Sequence, residues 1–324
     1  MGMTWLVTGG AGYIGAHVLR ALTAAGHAVV AFDDLSSGVA ARVPDGVPLV
    51  VGAVTDRRAV AAALRRHAAA GVVHLAARKS PLESVRRPAW YHRENVGGTQ
   101  SVLAAMAATG VRRLVFASSA AVYGQVTAAA VDEGAPTRPI NPYGASKLAC
   151  ERRIAEAGVA WVALRFFNVA GSGDPRLGDR EATNLVPIAV AAARAGRPLA
   201  VTGTDFDTPD GTGVRDYVHV EDVADAHAAA VAHLCRTPVA GAVYNVGTGR
   251  GHSVLDVVRG VEAVAGCPIE RTLHPRRPGD PASVVADAGR IQRELGWRAS
   301  RGLTEMVTSA WHCWSPRLTA DAAP

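Results

Sequence analysis

The sequence predicts an α/β protein: a doubly wound parallel sheet followed by a smaller, mixed α/β C-terminal part. Three observations carry this. Strand-like and helix-like segments alternate through the first half, which argues for βαβ units and a parallel sheet. A glycine-rich turn joins the first strand to the first helix. After about residue 170 the texture turns irregular, with turn-rich stretches at Gly171-Ser172-Gly173-Asp174-Pro175 and 203–213.

The elements follow in order. Trp5-Leu6-Val7-Thr8 is a short apolar run that ends in glycines, and residues 13–25 show helical spacing. Ala28-Val29-Val30-Ala31-Phe32 is a second strand, closed by Asp33, and Leu49-Val50-Val51 a third. The Ala/Arg stretch 57–70 is helical in composition, and Gly71-Val72-Val73-His74-Leu75 is a fourth strand. Residues 93–109 read as a long helix before Leu114-Val115-Phe116-Ala117. Residues 143–157 read as a helix before the strand Ala160-Trp161-Val162-Ala163-Leu164. Asn141-Pro142 marks the start of that helix. Further helices are expected at 185–195 and 253–265, and the last ten residues, 315–324, read as a flexible tail.

Composition bounds the function. A chain of 324 residues with 49% apolar and 19% charged residues builds a full core and is not disordered. No apolar run reaches the length of a membrane span, so no membrane partner is expected. The start of the chain has no basic leader, and Cys150, Cys235, Cys267 and Cys313 lie far apart without a CxxC pair. A reduced, cytoplasmic setting is expected, with no metal site. The net charge is +6, but its arginines are scattered, so no nucleic-acid partner is expected. Of 34 basic residues only Lys79 and Lys147 are lysine. Lysine is a compact charge with a shiftable pKa, whereas arginine is planar and permanently charged. These two positions are therefore candidates for chemistry that arginine cannot replace.

Gly9, Gly12 and Gly15 are spaced Gly-x-x-Gly-x-x-Gly between a strand and a helix. Such a turn brings the backbone close to a pyrophosphate and aims a helix N-terminus at its charge. Asp33 closes the second strand 18 residues beyond Gly15. A carboxylate there accepts from a ribose diol and repels a 2′-phosphate, which favours NAD over NADP. The expected fold is thus Rossmann-like.

Tyr143 and Lys147 form a YxxxK pair, and i and i+4 on a helix share a face. A free phenol is a poor base at neutral pH, and an adjacent ammonium and a cationic nicotinamide ring would both favour its phenolate. Ser119 follows the strand 114–117 and can relay a substrate hydroxyl proton to that phenol. Alone, YxxxK is a chance-level pattern; with the glycine turn and the serine it describes a hydride-transfer site.

Together these residues resemble the extended short-chain dehydrogenase/reductase family, and within it the UDP-galactose (UDP-glucose) 4-epimerases. The matching stretches are VTGGAGYIGAH (7–17), ESVRRPAWYHRENVGGT (83–99), SSAAVYG (118–124), NPYGASK (141–147), LRFFNVAG (164–171), DGTGVRDYVHVEDVADAH (210–227), YNVGTGRGHSVLDVV (244–258) and PRRPGDPASVVAD (275–287). The resemblance implies that Tyr143 is the base, Ser119 its relay and Lys147 the holder of the nicotinamide ribose. It implies that Tyr13, Ile14, Asp33, Asp34, Lys79 and Asn95 lie at the NAD site. Asn168, Asn184, Arg215, Arg277 and Asp280 would bind the nucleotide sugar, the arginines at its diphosphate. It also implies an NAD-binding domain over 1–169 with 216–245 returning to it, and a substrate domain over 170–215 and 246–314. A homodimer is expected through 93–109 and 143–157, with Ala104, Ala105, Ala108 and Leu148 as candidate interface positions.

Four positions depart from the family pattern. Ala53 stands where an Asp usually accepts from adenine. Ala121 replaces a hydroxyl residue, Thr202 an aromatic one near the base, and Val284 a bulky residue beside the sugar. The implied reaction is interconversion of UDP-galactose and UDP-glucose. The departures leave room for another sugar nucleotide: an N-acetylated hexose, a pentose or a thymidine sugar. Ala53 leaves open a dehydrogenase or reductase that releases its cofactor, and a silent nucleotide-binding regulator is the third alternative. Water elimination is disfavoured, because Ser119-Ala120-Ala121 lacks the acid pair of the related dehydratases.

Overall fold

The computed structural model describes residues 2–126, 128–181, 183–237, 241–277 and 280–314. The stretch read as a tail, 315–324, lies outside the described residues. The strands in chain order are β1 (Thr4–Thr8), β2 (Ala28–Asp33), β3 (Leu49–Val51), β4 (Gly71–His74), β5 (Arg113–Ser119), β6 (Ala160–Phe166), β7 (Asn168–Ala170), β8 (Leu199–Thr202), β9 (Val214–His219), β10 (Ala242–Val246), β11 (Gly251–Ser253), β12 (Arg271–His274) and β13 (Ser283–Val284). The α-helices are α1 (Tyr13–Ala24), α2 (Arg57–Arg66), α3 (Pro81–Arg86), α4 (Pro88–Tyr91), α5 (Gly98–Thr109), α6 (Pro142–Ala155), α7 (Leu185–Ala195), α8 (Val220–Arg236), α9 (Val254–Ala265), α10 (Gly289–Leu295) and α11 (Leu303–His312).

Seven strands form one parallel sheet in the order β3-β2-β1-β4-β5-β6-β10. The chain reverses its winding between β1 and β4, so a crevice opens at the carboxyl ends of these strands. Both faces are covered, which is why the strands read as unbroken apolar runs. Trp5, Val7, Val29 and Ala31 point to the layer of α1 and α8, while Leu6, Val30 and Phe32 point to the layer of α2, α5 and α6.

A second sheet pairs β9 with β7, β11 and β13, and a third pairs β8 with β12. Helices α7, α9 and α11 pack around Val190, Val258, Val261 and Val307. Residues 216–219 sit in β9 of the second sheet, whereas α8 packs on α1 and β10 joins β6 in the large one.

The elements fall close to their expected places, with two local differences. The Ala/Arg helix ends at Arg66 rather than 70, because Ala68 takes φ +48° and turns the chain into β4. The long helix expected over 93–109 begins with a π-helical segment, His92–Gly97, before α5. Such wider turns are frequent at functional sites.

Candidate active site

The turn after β1 shows why glycine is needed there. Gly9 has φ +72°, and a Cβ on it would stand 2.8 Å from the Ala76 nitrogen. A Cβ on Gly15 would strike the Gly9 carbonyl at 2.0 Å. Gly12 differs: the one atom such a Cβ would approach is the Gly9 oxygen at 3.2 Å, so its outer side is open. Gly12 caps α1 without a side-chain bond, leaving the first backbone N–H groups of the helix aimed at the cleft. Gly9, Gly12, Tyr13, Ile14, Gly15, Asp33 and Asp34 all line this cleft.

Asp33 is buried at the end of β2. Its Oδ2 accepts from the Ala11 N–H at 3.0 Å and its Oδ1 from the Leu35 N–H at 2.9 Å. Burial raises its pKa, and these two bonds oppose the rise. Open backbone donors at one end and a fixed carboxylate at the other suit a dinucleotide: the N–H groups a pyrophosphate, the carboxylate a ribose diol. Gly52 and Val54 line the cleft, and Ala53 between them offers no polar side chain.

The α6 helix delivers the tyrosine and lysine. Asn141 caps it, accepting from the Gly144 N–H at 2.8 Å, and Pro142 fixes its first turn. Tyr143 and Lys147 both reach the cleft. Lys147 is 4% exposed, and its Nζ donates to the Ala117 carbonyl at 2.8 Å. Burial lowers its pKa to about 8. Burial pushes the Tyr143 phenol up, and the Ser119 hydroxyl beside it opposes the shift. Lys147 is thus bonded to β5, and burial is the largest influence on the phenol.

Lys79 lies across the cleft mouth, with Nζ 2.9 Å from Glu181 and 3.9 Å from Asp179. Asn95 is buried and is absent from the cleft lining. Its Oδ1 accepts from the Arg78 N–H at 2.8 Å, and its Nδ2 donates to the Ser146 hydroxyl at 2.9 Å. It therefore staples the loop of Arg78 and Lys79 to α6 between Tyr143 and Lys147. Arg42, Arg78, Glu94 and Phe166 line the cleft without having been singled out in the sequence. Arg78 also lies 3.9 Å from Asp34. No local pattern marks these residues; they arrive from separate loops and strands.

The remaining candidates lie outside that lining. Asn168 is exposed at the start of β7, opposite Tyr217. Asn184 is exposed at the start of α7, and its Nδ2 donates to Asp179 at 3.3 Å. Arg215 is half-buried on β9; burial lowers its pKa and nearby Asp280 opposes this. Arg277 is exposed, and its carbonyl accepts from the Asp280 N–H at 3.2 Å. Val284 on β13 is the register partner of Arg215. The structure thus joins Arg215, Asp280 and Val284, and leaves Asn168, Asn184 and Arg277 at the surface. Asp216, next to Arg215, is fully buried and accepts from the Thr248 N–H and hydroxyl and from the Gly249 and Ala286 N–H groups. It ties β9 to two turns behind the arginine, a role no sequence pattern announces.

A glycine turn, a carboxylate at the end of β2 and a tyrosine–lysine pair in one crevice define a dinucleotide-dependent enzyme of the Rossmann-like class. The chain belongs to the NAD dependent epimerase/dehydratase family, whose profile matches residues 5–247. It is 48% identical to a UDP-glucose 4-epimerase of Azospirillum brasilense over 322 residues, covering 97% of this chain and 92% of that one. It is 44% identical to one from Streptomyces lividans, covering 95% of this chain and 94% of that one. A crystal structure of a UDP-glucose 4-epimerase from Stenotrophomonas maltophila, with bound NAD and formylated UDP-arabinopyranose, superposes with a TM-score of 0.93 at 38% identity. It covers 99% of this chain and 100% of that one.

Proposed function

We propose that this protein is an NAD-dependent nucleotide-sugar 4-epimerase that interconverts UDP-galactose and UDP-glucose. The observation that carries the reading is that Tyr143 and Lys147 face the same cleft as the uncapped start of α1 and Asp33. When bound, NAD supplies a hydride acceptor and donor for C4 of the sugar. Asp33 holds the adenine ribose, the α1 N-terminus the pyrophosphate, and Lys147 the nicotinamide ribose. Tyr143 Oη takes the proton of the sugar 4-hydroxyl through Ser119 Oγ and later returns it. Arg215, backed by Asp216 and Asp280, holds the diphosphate, with Arg277 beside it. Asn168 and Asn184 contact the sugar nucleotide. The sugar meanwhile turns about its phosphate linkage to present its other face.

Small residues at Ala121 and Val284 and a hydroxyl at Thr202 leave space around the substrate, so UDP-galactose is the first but not the sole sugar nucleotide to try. In this reading the large sheet with α8 and β10 is the NAD domain, and β7–β9 with β11–β13 carry the substrate. Two copies associate through the outer faces of α5 and α6. Ala108 is exposed there, whereas Ala105 and Leu148 are buried in the subunit's own core. Light scattering gives the dimer's mass if this is right. Proton NMR of the purified protein with UDP-galactose tests the activity. UDP-glucose should appear without growth of the reduced-nicotinamide absorbance band. Stoichiometric growth of that band would make the protein a dehydrogenase, and no conversion of any nucleotide sugar a silent binder.

A further inference from the structure

Behind the tyrosine and lysine lies a buried charged cluster that the proposed reaction does not use. Glu151 follows Tyr143 and Lys147 on α6 at the next i+4 position, so the three side chains share one face. It is 5% exposed. Its Oε1 accepts from the Ser118 hydroxyl and from Arg165 Nε at 2.9 Å, and its Oε2 accepts from Arg165 Nη2 at 2.6 Å. Arg165 comes from the carboxyl end of β6 and is equally buried. Its Nη1 donates to the Tyr123 hydroxyl at 3.1 Å, which donates to Asn245 Oδ1 at 2.6 Å. The cluster therefore joins α6 to β5, β6 and β10.

The end of β5 is where this matters. Three successive residues there meet three successive turns of α6. The Ala117 carbonyl takes Lys147 Nζ, the Ser118 hydroxyl bonds Glu151, and the Ser119 hydroxyl stands beside the Tyr143 phenol. Two of these rungs are fixed by atoms that never meet the substrate. A buried ion pair adds little net stability over a well-packed apolar pair, so its presence here calls for a geometric explanation.

We propose that Glu151 and Arg165 are positioning residues: their buried pair locks α6 against the last residues of β5 and so sets where Ser119, Tyr143 and Lys147 meet. The inference rests on the epimerase reading for its kinetic test, and it has a second test that needs no substrate.

The kinetic test uses E151Q and S118A. E151Q leaves Arg165 facing a neutral amide and unsettles the helix against β5. It should lower kcat by about 10- to 100-fold, as misplacement of reacting groups does. The KM for UDP-galactose should stay within about twofold, because no substrate contact is lost. S118A removes only the rung to β5 and keeps the ion pair, so it folds even if E151Q does not. It should lower kcat about threefold to tenfold, with KM likewise unchanged. Full kcat in either folded variant would overturn the proposal.

The second test exploits the presence of only two lysines in the sequence. Lysine labelled with carbon-13 at Cε gives two resonances, and K79M assigns them. The groups facing Lys147 are His74 from β4, the Phe116 ring and Ala117 carbonyl from β5, and Tyr143, Cys150 and Glu151 from α6, with Arg165 of β6 behind Glu151. Glu151, ion-paired with Arg165, is the carboxylate among these groups. In E151Q the Lys147 midpoint should fall by about one pH unit, and in S118A its resonance should move while that of Lys79 stays. An unmoved Lys147 in both variants overturns the positioning role, whatever the substrate turns out to be. Failure of the wild type to convert UDP-galactose, with Lys147 responding as stated, would remove the proposed substrate and leave this inference standing.

Discussion

The groups over the carboxyl ends of β1, β2 and β5 are held by bonds the protein makes to itself; those at the starts of β7 and α7 and just after β12 are held far less. Asp33 and Lys147 are buried and bonded to backbone, and Tyr143 is buried beside Ser119. Asn168, Asn184 and Arg277 are exposed. Arg215 stands between the two conditions, half-buried on the strand that the fully buried Asp216 ties to two turns. The difference matches what each region is proposed to do. A cofactor that stays through every turnover is served by a rigid, preorganised cradle. A sugar that must turn over in its site needs a firm grip on its diphosphate and a loose one elsewhere.

That contrast can be broken first at its rigid end. Y143F should lower kcat by about 10²- to 10⁴-fold, the range for loss of a general acid–base group, with little change in KM. A KM effect without a kcat effect would move Tyr143 to the binding side. Next comes the grip. R215A should cost about 1.5–3 kcal/mol of substrate binding, the value of charged hydrogen bonds, and should appear mainly in KM. Asn168→Ala should cost less, and an equal or larger cost would contradict the loose half of the comparison.

Acid tests the seam between the regions. His17 Nδ1 bonds the Tyr13 carbonyl, and its Nε2 accepts from the Gly173 N–H at 3.0 Å, so it joins α1 to the loop after β7. Burial lowers the pKa of His17, His219 and His227 to about 4 and that of His74 to about 3. An unfolded histidine titrates near 6.5, so below about that pH the unfolded chain binds more protons than the native one. Stability should therefore be full above pH ~6.5 and fall steadily as pH drops toward ~4. Melting curves across that range check it, and H17Q should flatten the fall. A flat Tm across the window would show that these rings are not held neutral. The smallest effect is expected from A53D, which restores an acceptor where the family usually has one. It should slow NAD release by about tenfold without changing kcat.

Much of the rigid region was legible in the sequence. Gly9, Gly12 and Gly15 with Asp33, and Tyr143 with Lys147, act through local spacing, and local spacing survives in one dimension. Lys79 and Lys147 stood out by composition alone. The residues missed act across the fold. Glu151 looks like an ordinary helix charge, and Arg165 interrupts the apolar run of β6; nothing in sequence pairs them. Asn95 matched a cofactor residue by motif, but no pattern announced that its side chain bonds Arg78 and Ser146. Arg42 and Arg78 reach the cleft from loops whose paths depend on packing.

The central claim is that C4 of the sugar loses and regains the same hydrogen inside one closed site. UDP-galactose deuterated at C4, converted in ordinary water and followed by proton NMR, tests it directly. The account predicts UDP-glucose that keeps its deuterium at C4 through complete equilibration. Replacement of the label by solvent hydrogen would mean that C4 gives up a proton rather than a hydride, and would contradict the roles given to the cleft, Tyr143 and Lys147.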